Sequence, residues 1–102
     1  MKHFILIYDY VPDFMEKRLP FRTEHLTLAY AAQDSGALLL AGAMTGAPEM
    51  GAFLFQSEDA SVAENFARND PYVRAGIVTR WHVREWITAV GEYAANPAPR
   101  PE

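Results

Sequence analysis

The 102-residue chain contains no cysteine, which excludes disulfides, thiolate zinc sites and cysteine nucleophiles. It also lacks a cluster of Lys or Arg: nine basic residues stand against 13 acidic ones, for a formal net charge of -4. Nucleic-acid backbones and anionic membrane surfaces are held by basic patches, so neither is an expected partner. No apolar run approaches the roughly 20 residues that a membrane-spanning helix needs. The opening MKHFILIYDY is interrupted by Asp9 before any small-residue cleavage site, so it reads as a strand rather than a secretion signal, and a cytoplasmic location is the expectation. There is no internal repeat, and with no His-x-x-x-His pair and no carboxylate cluster at ligand spacing a metal is not expected. Gly42 and Gly46 follow a strand but open no helix, unlike a phosphate loop.

Half of the residues are hydrophobic and 13% are aromatic, enough for one packed core but, at this length, not for two. Residues 3–8, HFILIY, form a continuous β-prone run suited to a strand buried on both faces. Pro20 suits a first helical turn, and the apolar spacing beyond it predicts a helix over about 20–35, closed by Gly36. ALLLAGAM (37–44) and AFLFQS (52–57) read as two strands around a Gly/Pro loop. A helix over about 60–69 follows, with Ser57 and Asp59 as candidate N-caps, and Asp70 and Pro71 end it. A last strand spans about 78–87. Residues 1–88 thus make one domain, and the Pro-rich residues 89–102 read as a mobile tail.

The order βαββαβ is that of the ferredoxin-like α+β fold, a four-stranded antiparallel sheet with two helices on one face. The first two strands are apolar on both faces, so a second, uncovered face would be exposed. A homodimer with the sheets packed face to face covers it under twofold symmetry.

In this topology the end of the first strand, the opening turns of the first helix and the end of the second helix share one edge of the domain. Asp9, Arg22, His25 and Asp70 are placed there. A histidine beside a carboxylate suits acid/base work, because imidazole titrates near neutrality and the carboxylate fixes its tautomer. Arg22, one turn before His25, suits the anionic group of a small-molecule ligand. Each residue also has a structural reading: His25 as packed polar side chain, Asp9 as turn residue, Asp70 as Asx turn before proline, Arg22 as ion-pair partner. His3, at the start of the first strand, and His82, among charged neighbours, read as surface. Phe4, Tyr8, Phe53, Phe55, Phe66, Trp81 and Trp86 read as core or dimer interface, with one or two available to line a pocket.

Three stretches, RTEHL (22–26), SGALLLAGAM (35–44) and DPYVRAGIVTRWHVREW (70–86), in this order and at this spacing, resemble the signatures of the YciI-like family, and the similarity spans about residues 3–88. The resemblance implies a dimeric α-β barrel, similar to muconolactone isomerase, with a proposed His and Asp pair that falls on His25 and Asp70. Arg22 lies within a motif, whereas Asp9 lies in a stretch of variable length. The family implies no particular reaction. The function expected is that of a cofactor-free lyase or isomerase in which His25 moves a proton on a small cyclic or aromatic molecule. The alternative is a non-catalytic small-molecule-binding or accessory dimer.

Overall fold

Alternation along the first strand decides how the sheet is used. In the computed structural model, which describes residues 1–102, strand β1 (Lys2–Tyr10) buries Phe4, Leu6 and Tyr8, while Ile5 and Ile7 between them are half-covered. Side chains two apart share a face, so the first set meets the helices and the second faces away. The register carries this across the sheet. Leu6 pairs with Phe53 of β3 (Met50–Ser57) and with Val83 of β4 (Val78–Trp86), and Ile5 pairs with Leu54 and Arg84. Strand β2 (Leu38–Met44) completes an antiparallel sheet in the order β2-β3-β1-β4, the ferredoxin-like arrangement that the sequence predicts.

Two helices of ordinary length cover one face. Helix α2 (Arg22–Asp34) begins two residues later than expected because Pro20 lies in a separate 3-10 turn, Leu19–Phe21. Before it stands a short helix, α1 (Phe14–Lys17), that no periodicity signals. Gly36 terminates α2 as expected: its φ of +86° suits glycine, Gly36 N–H donates to Gln33 O at 2.9 Å and Ala37 N–H to Ala32 O at 3.1 Å. Helix α3 (Ser61–Asn69) packs Ala63, Phe66 and Ala67 onto the sheet. Of its two candidate caps, Asp59 accepts from Ser61 N–H and hydroxyl, whereas the Ser57 hydroxyl donates to the Asp59 carbonyl.

The other face of the sheet carries Ile5, Ile7, Ala52, Leu54, Leu40 and Trp86, with no helix over it. Leu40 is 71% exposed and Trp86 50%. At its lower end residues 88–98 fold back. Asn96 N–H donates to Thr88 O and Ala98 N–H to Ala89 O, while the Thr88 hydroxyl accepts from Ala95 N–H and bonds His3 Nδ1 at 2.7 Å. His3 is therefore buried and not on the surface, because residues near the tail close over it. His82 is exposed, as expected.

Candidate functional site

The stretch DPYVRAG has a compact physical explanation. Asp70 ends α3 in an extended conformation and starts a one-turn helix, α4 (Pro71–Arg74), in which Pro71 occupies a first-turn position that needs no N–H. The carboxylate caps this turn by accepting Tyr72 N–H at 3.0 Å. Gly76, at φ +77°, closes it, with Gly76 N–H donating to Val73 O and Ile77 N–H to Tyr72 O. The Asx-turn reading of Asp70 is thus correct, but the same carboxylate does more.

Asp70 is fully buried. Its oxygens also accept the Tyr8 hydroxyl at 2.7 Å and lie 2.9 Å each from His25 Nδ1. A carboxylate offers only lone pairs, so Nδ1 carries the proton of this contact. Bonds of this kind to a charged acceptor contribute roughly 1.5–3 kcal/mol each. Neutral His25 is then held as the Nδ1–H tautomer with a free lone pair on Nε2, which has no partner in the chain. The ring is fixed in two directions: it stacks on Tyr72 at 3.9 Å between centroids and 8° between planes, and meets the rings of Phe53 and Phe66 edge-on.

Burial, and then the charge of Asp70, push the Tyr8 hydroxyl far above its ordinary range, so it remains a donor. Burial likewise raises Tyr10, with Asp70 again adding to the shift.

His25 lines a cavity of about 320 Å³ between α2 and the sheet. Phe14, Leu38 and Phe53 supply apolar wall, residues 39–43 of β2 form one side, and Tyr10, Arg18, Arg22 and Tyr72 supply polar groups. Three of the four residues that the topology places at this edge are therefore together: His25 and Asp70 in contact, Arg22 on the cavity wall. Asp9 is not with them. It follows Tyr8 by one residue, so it projects from the opposite face, where its carboxylate pairs with Arg80 Nε at 3.6 Å. Tyr10, Arg18 and Tyr72 are the residues that sequence reasoning passes over, and Tyr8, read as core or interface, also bonds Asp70. The tyrosines carry a usable signal, since Tyr8 and Tyr10 continue the Phe4, Leu6 parity towards the helices; Arg18, in an irregular connection, carries none.

A ferredoxin-like α+β domain with a buried His–Asp contact beside a partly open cavity is what these elements amount to. Over residues 1–87 the chain matches the YCII-related domain, and it belongs to that family. Among solved structures it resembles 5-chloro-2-hydroxyhydroquinone dehydrochlorinase from Burkholderia phenoliruptrix AC1100, in complex with 2,5-dihydroxybenzoquinone. The TM-score is 0.72 at 18% identity, over 85% of this chain and 95% of that one. It also resembles an antibiotic biosynthesis monooxygenase, with TM-score 0.53 and 16% identity over 89% of this chain and 100% of the other. At these identities the likeness is one of fold. Proteins of curated function give no sequence match.

Proposed function

We propose that this protein is a lyase or isomerase that needs no cofactor, in which His25 Nε2 moves a proton on a small cyclic or aromatic molecule and Asp70 positions the imidazole. The observation that carries this reading is the His25 geometry: Nδ1 committed to Asp70, the ring clamped on Tyr72, and Nε2 left without a protein partner beside a cavity. Nε2 takes a proton from a ring carbon, and the imidazolium that forms is stabilised by the Asp70 carboxylate. The C–H electron pair then becomes a ring double bond. A leaving group departs from the adjacent carbon with its own electron pair, or the proton returns at another position. Arg22 contacts a polar group of the substrate. That a protein of the same fold is a dehydrochlorinase of a hydroxylated ring supports the choice of substrate class.

We extend the proposal to a homodimer in the cytoplasm. The uncovered sheet face, with Leu40, Leu54, Ile5 and Trp86 contiguous, suits a second copy.

The test is a screen of cyclic ketones, lactones and halogenated hydroquinones by proton NMR in D₂O, wild type against His25→Gln. Exchange or elimination in wild type that falls about a hundredfold or more in the variant supports the assignment. Equal rates in both refute it, and binding without turnover transfers the protein to the class of ligand-binding modules.

A further inference from the structure

Two guanidinium groups border the cavity and neither meets a carboxylate. Asp13 pairs with Lys17 and Asp9 with Arg80, while Asp70 is occupied by Tyr8, His25 and Tyr72 N–H. Arg18 and Arg22 are both half-buried on the cavity wall. Arg18 lies 5.5 Å from the centre of the Phe14 ring, and its Nε is sealed from solvent with no acceptor. A third donor belongs to the same cavity wall. Tyr72 is 2% exposed, and its hydroxyl is buried with no acceptor among the protein's atoms. Burial raises its pKa while the positive charges of Arg18 and Arg22 oppose that rise. The group therefore keeps its proton and faces positive charge. Leaving buried donors unmatched is costly, and two cations around one apolar cavity repel each other. An oxygen anion in the cavity relieves both.

We propose that Arg18, Arg22 and the Tyr72 hydroxyl form an oxyanion subsite, and that the molecule bound beside His25 is a planar ring carrying an ionised oxygen, as a carboxylate or as an acidic phenol or enol. The assignment rests on the reading of the cavity as a substrate site, but not on proton transfer by His25. Tyr72 joins the two functions, because the ring that carries the donor hydroxyl is the one on which His25 stacks. The subsite so placed holds the ring by its charged oxygen beside Nε2. Guanidinium suits this task, since its planar fork of donors matches the in-plane lone pairs of such oxygens.

The experiment is calorimetric titration at about pH 8, where benzoate and 4-nitrophenolate are both ionised, against their uncharged counterparts benzamide and 4-nitroanisole. Wild type should bind the anions about tenfold more tightly than the neutral rings, and which anion is preferred separates carboxylate from phenolate recognition. Arg18→Gln and Arg22→Gln should each weaken anion binding about tenfold and leave the neutral rings unchanged, and Tyr72→Phe should weaken it roughly fivefold. His25→Gln should keep the anion preference even though turnover is lost, so failure of the catalytic reading and failure of the subsite give different results. If a substituted arginine prevents folding, wild type under rising salt still decides: anion affinity should fall while affinity for the neutral rings stays level. Equal affinity for anion and neutral ring, insensitivity to salt, or no binding of any of the four probes overturns the subsite.

Discussion

The imidazole of His25 and the phenol ring of Tyr72 lie face to face, 3.9 Å apart and within 8° of parallel. Tyr72 belongs to the turn that Asp70 caps, so the residue that bonds the histidine also sets the backbone of the residue on which it stacks. Edge and face of the imidazole are controlled from one short segment, and only Nε2 is left without a partner in the chain.

Asp70→Ala should cost about 3 kcal/mol or more, because it strands the Tyr8 hydroxyl, His25 Nδ1–H and Tyr72 N–H in the interior. Asp70→Asn keeps oxygen and shape but adds donors, so it should destabilise less while allowing His25 to populate the Nε2–H tautomer. Urea denaturation measures the first effect and ¹⁵N NMR of the ring the second; an Asn variant that retains only Nδ1–H would contradict the assigned role of Asp70.

Alkali should unfold the protein early. Tyr8 and Tyr10 have pKa values raised from an ordinary 10.0 by burial first and by Asp70 second. Above that pH the unfolded chain loses these protons and the folded chain retains them, so the stability they contribute is complete below about pH 10 and declines as pH rises further. Tyr8→Phe should flatten the decline, and denaturation curves between about pH 8 and 11 would show it. An unchanged slope in Tyr8→Phe would rule this out.

Gly51 sits opposite Tyr8 in the sheet, and a Cβ there would lie 2.6 Å from the Tyr10 hydroxyl. Gly51→Ala should displace Tyr10 from its stack on Phe14 and alter the cavity wall, while costing only about 1 kcal/mol because the colliding atom ends a movable side chain. Ligand affinity should fall more than the melting temperature suggests. A crystal structure of the variant with Tyr10 in place would disprove the collision.

Leu40→Glu tests the dimer. Sedimentation of wild type should give about twice 11.5 kDa, and the variant, with charge in the uncovered face, should sediment as a monomer with its helices intact by circular dichroism. Wild type sedimenting at 11.5 kDa at micromolar concentration refutes the paired sheets.

The elements that were legible in the sequence are those long enough to show a period or an unbroken apolar run: four strands, two helices and their order. Helices of four residues, Phe14–Lys17 and Pro71–Arg74, complete barely one turn and show none. His25 and Asp70 could be placed at one edge from topology alone. Asp9 could not be separated from them, because topology gives the end of a strand but not which side of it a residue occupies; the parity of Phe4, Leu6 and Tyr8 contained that information. Arg18 needed the structure, since an irregular connection gives no direction to its side chains. His3 needed it too, as its covering residues lie 85 positions away in the chain.

Asp70 has two duties, starting the Pro71–Arg74 turn and holding the histidine, and this sets how the protein can diverge. Any change at that position is paid for in folding, so selection for stability alone preserves the His25–Asp70 contact. Arg18 and Arg22 form no ion pair with a carboxylate of the chain, so on the proposed subsite substitutions there should alter what is bound more than they alter the fold. Within this architecture the cavity wall is free to drift, and the His25–Asp70 pair is anchored to foldability.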